Sequence, residues 1–447
     1  MTDKKEAVNN VTEGKLLPSF IAFLIPLMLS SCLMQSYTIA DGIILGNAIS
    51  QEALGSVSSC SSILDVCTLI QLGLAGGCSI MASYMYGAKN YTELEHLIIE
   101  IRKLIIIVSV AVASAAFLLA PLMLRVLHTP DELYKGALIY LKINIAGIPF
   151  SALYGLLAGV LRGMGDSKRP LGGIAVSSAV NIGLDVLFVI ILNYGITGAA
   201  VATVAAEILS AAYLWIRLES KRKSLAGLQE TDGPGGSHVR ECIDLSIPQI
   251  LQSVVFSGGN VLLQNITNIL GAAVVIGVTV AFKVDSLLLI PLFSMSTAVS
   301  VFTGQNTGAE KPERVRQMMK YSITIVILFA VLASLILWKF GYPLFSLFGL
   351  NKEAADIGFR YILICIPFYW IFGLQFVLHG YLNGKKHTRI TAVTSIAGLA
   401  GRLLLAYLGH KTFGSDILPA AEVFAWIITT GSDAVYIIRT INKKQES

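Results

Sequence analysis

Charged residues are scarce in this sequence. Asp, Glu, Lys and Arg together make up 14% of its 447 residues, whereas hydrophobic residues make up 55%. A soluble domain has about 25% charged residues. The composition therefore excludes a water-soluble globular protein and indicates a chain whose main solvent is lipid.

Cysteine and histidine are also few, with six of each. The cysteines stand singly and without C-x-x-C spacing, which favours small free hydrophobic side chains over a disulfide framework or a redox motif. The histidines are scattered, and no two of them have the spacing of metal ligands. The sequence therefore predicts neither a dedicated metal centre nor redox chemistry.

Motifs for cofactors and catalysis are missing as well. The glycine-rich stretch "LRGMGDSKRP" (residues 161–170) lacks the preceding strand and the G-K-[ST] order of a phosphate-binding loop. A membrane-embedded enzyme or receptor would need a catalytic constellation or a large extramembrane domain, and the sequence contains neither. We therefore expect no enzyme activity and no cofactor.

Long apolar runs dominate what remains. A transmembrane helix needs roughly 20 mostly apolar residues, and twelve such runs are separated by short polar breaks. They centre near residues 30, 68, 113, 148, 182, 206, 257, 286, 330, 370, 399 and 427. Since a helix satisfies its backbone hydrogen bonds within the segment, the predicted fold class is an all-α polytopic membrane protein with twelve transmembrane helices.

Basic residues predict the orientation of these spans, because cytoplasmic loops are enriched in Lys and Arg. With a cytoplasmic N-terminus, 24 of the 33 Lys and Arg residues fall on the cytoplasmic side, and only Lys283 and Arg402 lie within spans. We expect both termini in the cytoplasm and the chain in the plasma membrane of a prokaryote. The same loop bias accounts for the net charge of +5, so no nucleic-acid partner is expected.

The longest polar stretch, residues 219–242, divides the chain almost at its middle. It predicts an N-terminal lobe over residues 1–218 with six helices, a cytoplasmic linker, and a C-terminal lobe over residues 243–447 with six more. Because each half contains an even number of helices, both halves cross the membrane in the same direction.

The two halves resemble each other at a shift of about 221 residues. "IPLMLSS" (25–31) corresponds to "IPQILQS" (247–253), and "LAGVLRGMGDSKRP" (157–170) corresponds to "LHGYLNGKKHTRIT" (378–391). A parallel repeat of this kind forms two lobes around a central cavity in many transporters. A single chain would enclose that cavity, so a monomer is the expected state.

Acidic side chains inside the apolar runs are the main candidates for a site. Asp41 lies in "QSYTIADGIILGN" (35–47), a stretch without any basic residue. Counting 1.5 Å per residue from the nearest outward turn places Asp41, Asp185 and Thr203 at a similar depth of about 12 Å. Asn181 lies one helical turn before Asp185 and shares its face.

These four residues predict a cation site, because a carboxylate within the bilayer is costly and is usually functional. The pair of acids could carry a proton, or it could bind Na⁺ through oxygen ligands, in which case Asp41 and Asp185 are the metal ligands. The alternative is a structural role in which Asp41 accepts a hydrogen bond from a neighbouring hydroxyl group.

Several motifs together resemble the multidrug and toxic compound extrusion (MATE) family over nearly the whole chain. They are Pro26 with Asp41 and Gly46, "YGAKN" after the second span, "LRGMGDSKRP" after the fourth, "NIGLDVLFVIILNYGITGAAVAT" across the fifth and sixth, and "FTGQNTGAEKPERV" after the eighth. The resemblance implies a cation-coupled antiporter that exports organic, often cationic and lipophilic compounds. In the DinF-like bacterial branch, it implies that Asp41, Asn181, Asp185 and Thr203 couple transport to the cation.

The C-terminal half departs from this pattern. At the repeat shift, Asn181 corresponds to Arg402 and Asp185 to Ala406, and the seventh span lacks the glutamate that the NorM-like and eukaryotic branches use. Coupling is therefore expected in the N-terminal lobe. We expect Asp285 either to contact Arg402 or to line the cavity.

Polar, aromatic and methionine side chains in the spans are the candidates for a substrate cavity, because flat or flexible apolar groups accept varied ligands. They are Tyr37, Glu207, Gln252, Phe256, Asn260, Gln264, Lys283, Asp285, Met295 and Arg402. The expected partners are small organic molecules and the lipid bilayer. The alternative function is a flippase for lipid-linked oligosaccharides, which would need several basic residues in its cavity to hold a pyrophosphate group.

Overall fold

The computed structural model describes residues 11–48, 51–226 and 237–446, and these residues form helices joined by short turns without any strand. The helices are α1 (Leu16–Ala48), α2 (Gln51–Gly87), α3 (Tyr91–Val126), α4 (Asp131–Gly163), α5 (Lys168–Asp185), α6 (Gly195–Ala226), α7 (Val239–Ile269), α8a (Ala272–Leu288), α8b (Ile290–Gly308), α9 (Pro312–Leu347), α10a (Lys352–Cys365), α10b (Tyr369–Gly384), α11 (Thr388–Phe413) and α12 (Ile417–Glu446). The predicted all-α polytopic fold is confirmed.

Three spans contain an irregular segment. These segments lie close to Asp185, Asp285 and Tyr369, respectively. Helix α5 continues after Asp185 as a π-helical segment, Val186–Ile191. The eighth span bends by 47° between α8a and α8b, where Pro291 lacks the N–H group that a continuous helix needs. A 3₁₀ turn, Ile366–Phe368, joins α10a to α10b and contains Pro367.

Nine helical segments of the described chain are long and apolar enough to cross a membrane, and the bent eighth span brings the number to ten. One of the nine, Thr388–Thr440, contains α11 and most of α12. Helix α7 does not qualify because of its amides, which include Gln249, Gln252, Asn260, Gln264 and Asn265. Such polar side chains are tolerated at membrane depth where they face protein or a cavity rather than lipid.

The chain forms two compact units, and the division differs from the expected lobes and linker. One unit includes Ile21–Ile250, and the other consists of Val11–Phe20 and Leu251–Ser447. Helix α6 extends to Ala226 and α7 begins at Val239, so both ends of the expected linker are helical, while residues 227–236 lie outside the described residues.

The start of α7 belongs to the N-terminal unit because α2 offers it a groove of small residues. A methyl group on Gly77 would overlap the Ser246 hydroxyl group, and one on Gly76 would overlap the Gln249 side chain. The Sγ atom of Cys78 lies 3.2 Å from that of Cys242. These short approaches fix the first turns of α7 against α2.

Glycines bring α2 and α4 together in the N-terminal unit. A methyl group on Gly159 would overlap the carbonyl oxygen of Ala75, and one on Gly163 would overlap that of Ser79. Small residues at such spacing allow the backbones of membrane helices to approach closely.

The C-terminal unit repeats this packing between α8b and α10b. A methyl group on Gly380 would overlap the carbonyl oxygen of Ser296, and one on Gly384 would overlap that of Ser300. Each of these four residues lies 221 positions after its counterpart in the N-terminal unit. The two units therefore share the same close helix packing, even where their other side chains differ.

We expect Gly159→Ala to lower the melting temperature of the purified protein, because its methyl group would force α2 and α4 apart. Overpacking of this kind costs about 1–3 kcal/mol. Gly155→Ala, one turn earlier in α4, is the matched control, since its nearest neighbour would be the Gln71 carbonyl oxygen at 3.9 Å. Equal melting temperatures for the two variants would contradict this account of the helix packing.

Candidate functional site

The first polar cluster lies in the N-terminal unit, on α1, α5 and α6. Asn181 and Asp185 on α5 are 1% and 0% exposed. The Asn181 Nδ2 atom donates to Thr203 Oγ1 at 3.4 Å, and the Thr203 hydroxyl group donates to the Ala199 carbonyl oxygen at 3.1 Å. The carboxyl group of Asp41 lies close to that of Asp185, and the two interact electrostatically. The four residues that the sequence analysis predicted as a cation site therefore lie close together in the structure.

Several oxygens of this cluster are buried without a hydrogen-bond donor. They are Asp41 Oδ1, both carboxyl oxygens of Asp185, and Asn181 Oδ1. A buried carboxylate without a partner is strongly unfavourable, and two neighbouring carboxylates also repel each other. A proton shared between Asp41 and Asp185, or a cation bound among the four oxygens, would remove both penalties.

The backbone of α5 changes its geometry at this cluster. Asp185 is the last residue of the regular α-helix, and the π-helical segment Val186–Ile191 follows it directly. Short π-helical segments inside α-helices are frequent at functional sites. Here the segment lies between the buried acid and the turn to α6, which carries Thr203.

Three further side chains surround the acid pair. Tyr37, one turn before Asp41, lies close enough to interact electrostatically with Asp41, Asp185 and Glu207. Glu207, one turn beyond Thr203, lies against α4, because a methyl group on Gly147 would come within 2.6 Å of Glu207 Oε2. Tyr37 and Glu207 therefore belong to the surroundings of the predicted cation site.

The sequence reasoning missed Tyr140 on α4. This residue is 6% exposed, and its hydroxyl group interacts electrostatically with Asp41, Tyr37 and Asp185. An isolated phenol in an apolar run is a weak signal, because most aromatics in a membrane protein are there for packing. Only the proximity of α4 to the acid pair identifies it.

The second feature is a cavity of about 410 Å³ within the C-terminal unit. Five of the predicted cavity residues line it, namely Phe256, Asn260, Gln264, Asp285 and Arg402. The volume falls within the range of about 300–1,000 Å³ typical of small-molecule sites. Its wall combines aromatic rings with a small number of charged groups.

The charged groups of the cavity pair differently from the expectation. Arg402 on α11 forms a salt bridge with Glu422 on α12, and its Nη1 atom donates to Asn260 Oδ1 at 3.1 Å. Asp285 instead accepts a hydrogen bond of 2.6 Å from the Tyr369 hydroxyl group. Of the two alternatives expected for Asp285, the structure shows that it lines the cavity, whereas Arg402 pairs with Glu422 instead.

Glu422 was missed by the sequence reasoning although a signal for it exists. Helices α11 and α12 are joined by the short turn Gly414–Asp416, so they must be antiparallel neighbours. The signal is a basic and an acidic residue within two neighbouring spans. Counting 1.5 Å per residue from this turn leaves Arg402 and Glu422 about 9 Å apart in depth, so the count alone does not predict that they pair.

The other predicted cavity residues of the C-terminal unit lie elsewhere. Gln252 donates to Ser395 Oγ at 2.5 Å, Lys283 is exposed, and Met295 is 3% exposed in α8b. None of the three lines this cavity. For Lys283 and Met295 the reason is helix rotation, which a pattern of apolar residues does not fix.

A separate buried cluster joins α10b, α11 and α12. Asp433, which is fully buried, accepts a hydrogen bond of 2.7 Å from Thr394 Oγ1 and lies 3.0 Å from His379 Nε2. His379 is 5% exposed. Asp433 has a hydrogen-bond donor at Oδ1 and an ion-pair contact with His379 at Oδ2. This cluster therefore differs from the acid pair of the N-terminal unit and fits a structural role.

Comparison with known proteins identifies the family of this chain. The MatE family model matches residues 26–187 and 248–408, which are the two halves of the repeat. The probable multidrug resistance protein YpnP of Bacillus subtilis is 30% identical over 91% of this chain and 92% of its own length. The probable multidrug resistance protein NorM of Thermotoga maritima is 24% identical over 90% of this chain and 87% of its own length.

A solved structure described as MATE in the bent conformation shares the fold, with a TM-score of 0.90, 19% identity, and coverage of 98% of both chains. The family match over both halves, the relative at 30% identity and the common fold agree with each other. The chain therefore belongs to the MatE family, the multidrug and toxic compound extrusion transporters of the membrane.

Proposed function

We propose that this transporter is a cation-driven antiporter, in which H⁺ or Na⁺ moving inward drives the export of organic, often cationic and lipophilic compounds. The observation that carries the proposal is the acid pair Asp41 and Asp185, three of whose four carboxyl oxygens are buried without a hydrogen-bond partner. The names of the Bacillus and Thermotoga relatives, both probable multidrug resistance proteins, support the class of cargo.

The acid pair gives the coupling a physical basis. Without a cation, two neighbouring buried carboxyl groups are unstable as anions, and the penalty falls when a proton or Na⁺ neutralises them. A conformation that buries the pair is then favoured only in the loaded state. Asn181 and Thr203 would hold the pair and supply further oxygens, while Tyr37, Tyr140 and Glu207 form the polar surroundings.

The donor set is compatible with either coupling ion. A proton needs only the two carboxyl groups, whereas Na⁺ needs several oxygens, which Asp41, Asp185, Asn181 and Thr203 can provide. No group of three or more His, Cys, Asp and Glu side chains suited to a metal ion is found within the described ranges.

The flippase alternative receives no support from the cavity in the C-terminal unit. An anionic pyrophosphate lipid would require unpaired basic residues there. Arg402, the basic side chain that lines this cavity, is paired with Glu422, and Asp285 adds a second acid. The charge balance of this cavity therefore does not favour a ligand with several negative charges.

The proposed setting is the plasma membrane of a prokaryote, with both termini in the cytoplasm, as the bias of basic residues between loops predicts. The proposed unit of transport is a monomer without cofactor, because each coupling residue comes from a single unit of one chain. Helices of sufficient length and apolar character support the membrane setting.

We expect Asp41→Asn and Asp185→Asn each to reduce gradient-driven efflux at least about tenfold, since a charged ligand of the cation contributes roughly 1.5–3 kcal/mol. The measurement is efflux of a fluorescent lipophilic cation from proteoliposomes, with a pH gradient and a Na⁺ gradient imposed in separate experiments. The gradient that drives efflux in the wild type identifies the coupling ion.

Asp131→Asn is the matched control for these variants, because Asp131 is an exposed acid in the first turn of α4 in the same unit. It should leave efflux unchanged. If both Asp41→Asn and Asp185→Asn transported like the wild type under the driving gradient, the acid pair would not be the coupling site.

Thr203→Val should raise the concentration of coupling ion needed for half-maximal efflux by roughly two- to tenfold, because it removes one hydroxyl oxygen worth about 0.5–1.5 kcal/mol. Thr203→Ser keeps that oxygen and should restore the wild-type value. The measurement is a titration of efflux rate against the coupling ion. Similar values for the valine and serine variants would show that the Thr203 hydroxyl group does not contribute to the cation site.

A further inference from the structure

The salt bridge between Arg402 and Glu422 is not used by the proposed coupling mechanism, yet it lies in the wall of the C-terminal cavity. Arg402 is 4% exposed. Removing a guanidinium and a carboxylate from water costs several kcal/mol per ion, and well-packed apolar residues are often equally stabilising. A buried pair facing a cavity of ligand size therefore calls for a role beyond stability.

Polar atoms beside the pair lack partners. Arg402 uses its Nη1 atom for Asn260 and its Nη2 atom for Glu422, and its Nε atom is buried without a hydrogen-bond partner. The hydroxyl group of Tyr361, which also lines the cavity, likewise has no partner. Asp285 is the second acid of the wall. The cavity thus presents one cationic group and two acidic ones.

The remaining wall suits an aromatic ligand. Phe256, Phe282, Phe372 and Trp426 all line the cavity, and the Phe372 and Trp426 rings pack with their centroids 4.7 Å apart. Aromatic walls bind flat apolar groups and also attract cations. The volume of about 410 Å³ admits one drug-sized molecule.

We propose that this cavity selects zwitterionic aromatic compounds, with Arg402 binding the ligand's carboxylate while Glu422 and Asp285 bind its ammonium group. A ligand with both charges can replace each half of the salt bridge by an equivalent partner. A ligand that is only a cation must compete with Arg402 for Glu422 and would leave the guanidinium group without its counter-ion. Arg402 is thus a specificity-determining residue.

This inference rests on the proposed function only in that the bound molecule is taken to be an exported compound. It is tested by equilibrium binding without any gradient, so it does not depend on coupling through Asp41. Nε-Dansyl-lysine and dansylcadaverine are suitable probes, because they differ only in the carboxylate of dansyl-lysine. Binding to the full-length protein in lipid nanodiscs is measured by energy transfer from tryptophan to dansyl, with empty nanodiscs as background.

The wild type should bind dansyl-lysine roughly tenfold more tightly than dansylcadaverine, as expected for one buried charge-assisted hydrogen-bonded pair. Arg402→Gln should reduce this preference to about onefold or reverse it. Glu422→Gln should maintain or increase it, because the guanidinium group loses its competing partner. Lys283→Gln, which removes an exposed basic residue of α8a outside the cavity wall, is the control and should leave the preference unchanged.

Two results would overturn the inference. One is a wild type that binds both probes equally or prefers dansylcadaverine, a measurement that needs no variant to fold. The other is a preference that Arg402→Gln and Glu422→Gln change in the same direction, which is the behaviour of a purely structural salt bridge. If gradient-driven efflux of cations persists in either case, the proposed antiport function stands and only the selectivity assignment fails.

Discussion

The cost of an acid in lipid is the constraint on which the structure depends. A carboxylate inside the bilayer must be neutralised, paired or hydrated, and this chain keeps several acids at membrane depth. Asp433 contacts Thr394 and His379, Glu422 forms a salt bridge with Arg402, and Asp285 accepts a hydrogen bond from Tyr369. Three carboxyl oxygens of Asp41 and Asp185 are buried without any such partner, which is why we propose that this pair exchanges a cation.

The two units show how a repeat can keep its packing and change its chemistry. Glycines at equivalent positions bring α4 against α2 and α10b against α8b through the same backbone contacts. At the polar positions the units diverge, since Asn181 corresponds to Arg402 and Asp185 to Ala406. This close packing requires small residues at only a few positions of each helix. The other positions can therefore carry different charges in the two units.

This divergence matches the two tasks that we propose for the chain. The N-terminal unit holds oxygens that suit a small cation, whereas the C-terminal unit holds a cavity large enough for an organic molecule, with aromatic walls and a salt bridge. The irregular segments follow the same division. The π-helical turn follows Asp185, and the bend between α8a and α8b lies one turn after Asp285.

The sequence by itself determined the solvent, the helical class and the repeat, and it predicted the members of the proposed cation site. Lipid leaves helices as the simplest way to satisfy the backbone, and depth along a helix can be counted residue by residue, so Asp41, Asp185 and Thr203 could be grouped without coordinates. Tertiary structure alone decided which side chain meets which. Helix rotation turned Lys283 and Met295 away from the cavity and brought Tyr140 to the acid pair, and the pairing of Arg402 with Glu422 rather than Asp285 followed from the approach of α11 to α12. Such contacts depend on the azimuth of each helix and on which helices are neighbours, and neither is specified by the local pattern of apolar residues.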